Sequence, residues 1–166
     1  MATPATRKNT AAVNYDITIQ NIESTTLICK SARCEQAAIA KHLGQILPAV
    51  FQHVTTAGIE MVGPPTTIYQ EWGPGVVTIQ AGIPVVPGAE GHEEFEVVVF
   101  EAGPAAVTIH TGSYDGLGDA YAAVEQYLRQ VGRKPNGPVR EVYLTDPGEV
   151  PNPEDWKTQI IWPVEA

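Results

Sequence analysis

From Tyr15 onward apolar and polar residues alternate as they do in strands, with Ile17, Ile19 and Ile22 separated by polar positions and Thr25 to Cys29 forming a second β-prone run. The spacing changes to three and four over Arg33 to Thr56. There Ala37, Ala40, Leu43, Leu47, Val50, Phe51 and Val54 make one apolar stripe, which predicts a helix whose stripe, Phe51 included, packs into the core. Pro48 lacks the amide hydrogen the helix ladder needs and warns of a kink or break. Gly58 and Gly63-Pro64-Pro65 mark the exit, and strands are expected over Thr66 to Tyr69 and Gly75 to Val85. The same order then returns. Phe95 to Phe100 and Ala105 to Thr111 read as strands joined by a short turn at Gly103-Pro104. Asp115 to Arg133 reads as a helix with Leu117, Ala120, Tyr121, Val124 and Leu128 on its core side, and Arg140 to Thr145 and Lys157 to Val164 as closing strands. Residues 1–14 carry no periodicity and are expected to be a disordered tail, leaving one domain over 15–166 with halves at about 15–87 and 94–164.

The recurrence extends to single residues. Gly63-Pro64 and Gly137-Pro138 lie 74 residues apart (137 minus 63), and the same offset sets Thr67 against Glu141, Ile68 against Val142 and Tyr69 against Tyr143. Each half also ends in Pro-Val, at Pro84-Val85 and Pro163-Val164. The expected fold is therefore α+β: a duplicated strand-strand-helix-strand-strand unit with pseudo-twofold symmetry, antiparallel sheets and one main helix per half.

Composition narrows the function. With 43% hydrophobic and 17% charged residues the chain is globular in character, and its formal charge of -9 repels nucleic acid. The densest basic positions are Arg7-Lys8 in the tail and Arg129, Arg133, Lys134 and Arg140, read as cations near a helix end. No apolar stretch approaches the ~20 residues of a membrane helix and no secretory signal stands at the start, so a cytoplasmic location is expected. Cys29 and Cys34 read as buried thiols, although spacing leaves a bridge between them open. The dispersed histidines His42, His53, His92 and His110 and the lack of a phosphate-binding loop predict no metal and no cofactor.

Strand alternation puts Glu141 and Tyr143 on one face and Val142 and Leu144 on the other. If Val142 and Leu144 lie in the core under the helices, the acid and the ring face a groove, where burial raises the pKa of a carboxylate and an unpaired charge costs folding energy. The pseudosymmetric Thr67 and Tyr69 would face the same groove. Trp72, Tyr114 and Trp156 are further candidate ligand contacts, because flat rings stack on flat ligands and attract cations.

Gly112-Ser113-Tyr114 before a helix, then Glu141-Val142-Tyr143-Leu144, then Trp162-Pro163-Val164 resemble the GyrI-like pattern, which is found in stand-alone proteins and in the effector-binding domains of MerR-type and AraC-type multidrug regulators. The resemblance implies two β-sheet layers with a helix each, and a groove between the halves for cationic or hydrophobic, often aromatic compounds. It also implies a glutamate on the strand before the last at the pocket floor, the position of Glu141. The tail is too short for a helix-turn-helix, which argues against a transcription factor. The first expectation is a protein that binds an amphipathic, aromatic compound for sequestration or sensing, a cation fitting the net charge. A hydrolase of cyclopropane-bearing compounds, with Glu141 as general base and Tyr143 orienting the substrate, is the alternative. Docking on a protein partner through the acidic stretch Glu90 to Glu101 is the third reading. Ligand identity and oligomeric state are left open.

Overall fold

The computed structural model of the chain describes residues 15–71 and 75–166. The expected tail, with Arg7 and Lys8, and the candidate contact Trp72 lie outside the described residues. In chain order the elements are β1 (Thr18–Ile22), β2 (Thr25–Glu35), α1 (Ile39–Ala57), β3 (Thr66–Glu71), β4 (Val76–Val85), β5 (Glu96–Phe100), β6 (Gly103–Thr111), α2 (Leu117–Val131), β7 (Val139–Tyr143) and β8 (Lys157–Pro163). Strand β2 runs farther than its first apolar residues suggest. Arg33 to Glu35, expected to open the helix, instead pair with Val76 to Thr78 of β4. Pro48 sits inside a continuous α1 and does not end it. Both helices finish on a left-handed glycine, Gly58 (φ 72°) and Gly132 (φ 70°), the conformation that lets a C-terminal amide cap the last turn.

All eight strands join one antiparallel sheet in the order β1-β6-β8-β7-β3-β4-β2-β5, so the two expected layers are a single continuous sheet. The short links mislead about pairing. Strand β1 does not pair with β2, nor β5 with β6; the first strand of each half crosses to the sheet edge of the other half. Gly103-Pro104, expected as a turn, belongs to β6 and pairs with Ile22 and Asn21. Six strand spacings separate β1 from β2, roughly 29 Å in a flat sheet at ~4.8 Å each, whereas the chain from Ile22 to Thr25 reaches at most about 11 Å. The sheet must therefore curl until its edges approach.

The register carries the duplication. Strand β1 maps onto β5 and the start of α1 onto that of α2 with an offset of 78 (96 minus 18; 117 minus 39). Helix α2 has 15 residues against 19, about one turn fewer, and the offset accordingly falls to 74 at Gly58/Gly132. In the central pair β3–β7, Thr67 lies directly opposite Glu141, its own counterpart. The pseudo-twofold axis thus passes between these two residues.

The two faces of the sheet are covered differently. Helix α1 packs on β2 and β4, burying Ile46, Val50 and Val54 against Ile28, Ala81, Ile83 and Val85, and α2 sets Val124 and Leu128 on Ala106 and Val164. On the other face Leu27, Cys29 and Ile68 are fully buried with Val98 and Phe100 around them. Among the described residues no helix covers them there. The Arg140 guanidinium of β7 lies 3.9 Å from the centre of the Phe100 ring of β5, although four strand spacings separate the two in the sheet. That contact makes the helix-free face the inside of the curl. Gly82 serves the closure: a Cβ there would fall 1.9 Å from the carbonyl oxygen of Ile28 on β2. Cys29 and Cys34 are both free thiols, and an odd separation on one strand sends them to opposite faces, so no bridge joins them. Burial, with a smaller contribution from Glu96, raises the Cys29 pKa to about 12.

Candidate functional site

Because α1 and α2 cover the flanking strands, the outer face of the β3–β7 seam is left bare between them. Thr67, Tyr69, Glu141 and Tyr143 emerge there. The condition set on sequence is reversed in one respect: Glu141 and Tyr143 share the face the helices occupy, while Val142 points into the curl. Leu144 lies beyond the end of β7, is 40% exposed and lines the groove.

Glu141 is 4% exposed and is not an unpaired carboxylate. Tyr69 donates to Oε1 at 3.1 Å, Tyr143 donates to the same oxygen at 2.9 Å, and Tyr121 of α2 donates to Oε2. The Tyr143 hydroxyl also lies 2.9 Å from Thr67 Oγ1; its one proton goes to the carboxylate, so it accepts from the threonine. Burial nevertheless pushes the Glu141 pKa above its usual value, against the lowering effect of the three phenols and of His110. Burial and the nearby carboxylate in turn hold Tyr69, Tyr121 and Tyr143 well above the usual phenol range, so all stay protonated donors. Tyr121 was expected to be plain core. Its place among Leu117, Ala120 and Val124 hides its role, and the one sequence signal was the hydroxyl itself, which needs a partner when buried.

The groove has two adjoining lobes that share Ala40, Leu43, Tyr114 and Tyr143. The inner lobe, of about 430 Å³, has Glu141, Tyr69 and Tyr121 at its floor and Asp115 at its rim. The outer lobe, of about 740 Å³, runs along Leu47, Pro48 and Phe51 of α1 toward Asp146 and Glu149. Phe51, assigned to core by its stripe, is 52% exposed on this wall. The Tyr114 ring lies tilted against Trp156 at 4.8 Å and against Tyr143 at 5.7 Å between ring centres, so that Tyr114 and Tyr143 form an aromatic side wall with Trp156 beside it. Two clamps hold that wall. The Trp156 indole donates to the Val150 carbonyl at 2.7 Å. His110, 5% exposed, donates through Nε2 to the Ser113 carbonyl at 2.9 Å and shares a hydrogen bond of 2.7 Å between Nδ1 and the Tyr15 hydroxyl, which fixes the turn bearing Tyr114. Of the residues singled out on sequence, the structure thus brings together Thr67, Tyr69, Tyr114, Glu141, Tyr143 and Trp156. Among the described residues no group of histidine, cysteine and acidic side chains is arranged to hold a metal, and no helix is long and apolar enough to cross a membrane.

Comparison with known families matches residues 16–165 to the GyrI-like small molecule binding domain. The chain belongs to this family. As a GyrI-like domain it is a small-molecule-binding module of α+β fold. Among solved structures it is similar to the EcmrR C-terminal domain, with 22% identity over 91% of this chain and 98% of that one and a TM-score of 0.77. It is also similar to a hydrolase encoded by lin2189 from Listeria innocua, with 13% identity, 90% and 92% coverage and a TM-score of 0.65. A third similar structure is that of SAV2435 bound to tetraphenylphosphonium, with 16% identity, 91% and 94% coverage and a TM-score of 0.62. At these identities the likeness is one of fold. No curated protein matches the sequence significantly.

Proposed function

We propose that the groove takes up an amphipathic, aromatic cation, for sequestration or sensing, with Glu141 supplying the counter-charge, Tyr69, Tyr114 and Tyr143 the aromatic surface, and Trp156 supporting Tyr114. One observation carries this reading. Among the described residues lining the two lobes, four are acidic, Asp115, Glu141, Asp146 and Glu149, and none is lysine, arginine or histidine. Low dielectric around a walled groove strengthens the attraction, and ring faces add to it. Tetraphenylphosphonium, the ligand of SAV2435, has the matching chemistry. The test compares it with tetraphenylborate, which has nearly the same shape and the opposite charge. Saturable binding of the cation alone supports the proposal; equal binding of both ions refutes it.

A hydrolase reading is kept for one reason. A carboxylate offers about four acceptor positions and the phenols occupy three, which leaves one for a water, and a raised pKa suits a general base. Multiple turnovers of an electrophilic cyclopropane by catalytic amounts of protein, lost in Glu141→Gln, would establish it; a single equivalent of complex would dismiss it.

A further inference from the structure

Arg140, read on sequence as one of several cations near a helix end, lies instead inside the curl of the sheet. It is 3% exposed. Its position follows from alternation on β7: Glu141 faces the groove, so its neighbour must face inward, where it pairs across the seam with Ile68. The Nε atom is buried without a hydrogen-bond partner, and Phe100 lies under the guanidinium plane at 3.9 Å. A ring face offsets part of the cost of burying a cation but accepts no hydrogen bond. Burial alone lowers the pKa of this arginine to about 10, with no acidic neighbour acting against it.

A charge so placed is unfavourable unless something completes it, since the water it loses on burial is replaced by no ionic partner. The structure also provides the space. A cavity of about 290 Å³ opens beside the guanidinium, walled by Leu27, Thr66, Phe100, Val142 and Ile161, and among the described residues lining it there is no aspartate or glutamate. The site thus combines apolar walls with the hydroxyl residues Ser24, Thr25, Thr26 and Thr66, carries one buried cation with unused donor capacity, and lies on the far side of the sheet from the groove. Its size is at the lower end for a ligand pocket, which limits the occupant to a small molecule.

We propose that this inner cavity is a second binding site, for a small amphipathic monoanion, whose carboxylate pairs with Arg140 while its apolar part lies against Leu27, Phe100 and Ile161. Guanidinium and carboxylate match as a planar fork, which a lysine does not reproduce. The protein then presents sites of opposite charge preference on the two faces of one strand. The proposal does not depend on the groove binding cations.

Octanoate is the probe, with octylammonium and octanol as its charge-reversed and neutral counterparts, measured by calorimetric titration and by thermal shift. Wild-type protein is expected to bind octanoate saturably and melt higher with it, while the two counterparts produce no saturable binding. Arg140→Met keeps an unbranched stem as far as the position of Nε and removes the charged head; it should melt at or above the wild-type temperature when unliganded and bind octanoate at least tenfold more weakly. Should that variant fail to fold, Val142→Phe, which fills the cavity and keeps the arginine, should lose octanoate to the same degree. Octanoate binding that persists unchanged in Arg140→Met or Val142→Phe, equal binding of octylammonium, or no saturable octanoate binding by wild type at millimolar concentration would each overturn the proposal.

Discussion

Replacing Glu141 by glutamine removes one charge and leaves the shape of the site in place, so its effects separate two opposing energies. Three phenols donate to the carboxylate. A hydrogen bond to a charged group contributes about 1.5–3 kcal/mol and a neutral one about 0.5–1.5, so losing the charge weakens the network by roughly 3 kcal/mol in total. Glutamine can keep the pattern if its carbonyl takes the place of Oε1 and its amide donates to Tyr121. Against that loss stands relief from burying a charge. The raised pKa shows which is larger: burial exceeds the combined lowering effects of the phenols and His110. Since the folded pKa lies above its usual value of 4.5, the contribution of this group to stability is fully present below the unfolded value and is lost as pH rises through the folded pKa. At pH 7 the unliganded variant should therefore melt at the wild-type temperature or above it. Wild type should lose stability with rising pH over a window that the variant lacks. Affinity for a lipophilic cation such as rhodamine 6G should fall by about 1–3 kcal/mol, and its rise with pH should vanish. Differential scanning fluorimetry across pH and fluorescence anisotropy supply both measurements. A melting temperature lower by more than about 2–4 °C at pH 7, the equivalent of ~1 kcal/mol in a chain of this size, would mean that the carboxylate serves the fold, and the reasoning would fail.

Other consequences are separately measurable. Tyr143→Phe removes one donor and leaves the fully buried Thr67 hydroxyl without its phenol partner; chemical denaturation should show a loss of about 1–2 kcal/mol, and the pH midpoint of cation binding should move upward. Tyr114→Ala takes away a ring that is 38% exposed, so stability should barely change while affinity for an aromatic cation drops by about 1–2 kcal/mol in the same anisotropy titration. Gly82→Ala places a methyl group against the Ile28 carbonyl at a distance no packing tolerates, and soluble folded protein should be sharply reduced on expression, as read by size-exclusion yield.

Much of the site was legible because it depends on short-range rules. Alternation alone placed Glu141 beside Tyr143, and the offset of 74 made Thr67 and Tyr69 their counterparts on the first half, with Thr67 directly opposite Glu141 in the sheet. Alternation does not say which face a helix will cover, however, so the side of Val142 stayed a condition that the structure reverses, and Arg140 was read as a cation near a helix end. Arg33 to Glu35 show a similar limit: a strand extends as far as a partner strand pairs with it, and β4 is distant in sequence. Two-residue links suggest hairpins, yet the curl of the sheet brings its far edges close enough for the same links to cross between halves. Tyr121 and Phe51 obeyed the helical period and were assigned to core on it. Periodicity detects the side of a helix that faces its neighbours but cannot tell a packed neighbour from an open groove.

The axis between Thr67 and Glu141 limits what any assembly of identical halves could do at this spot. Two copies of one polypeptide meeting on a twofold would have to place the same residue on each side, and directly paired positions in an antiparallel sheet lie only about 4.5–5.5 Å apart. Two glutamates there would share a proton and present less than two charges; two threonines would present none. Joining the halves in one chain frees each to change alone, so a single acid can stand at the centre with a hydroxyl facing it. Symmetry sets the two residues face to face, and the difference between them supplies the charge.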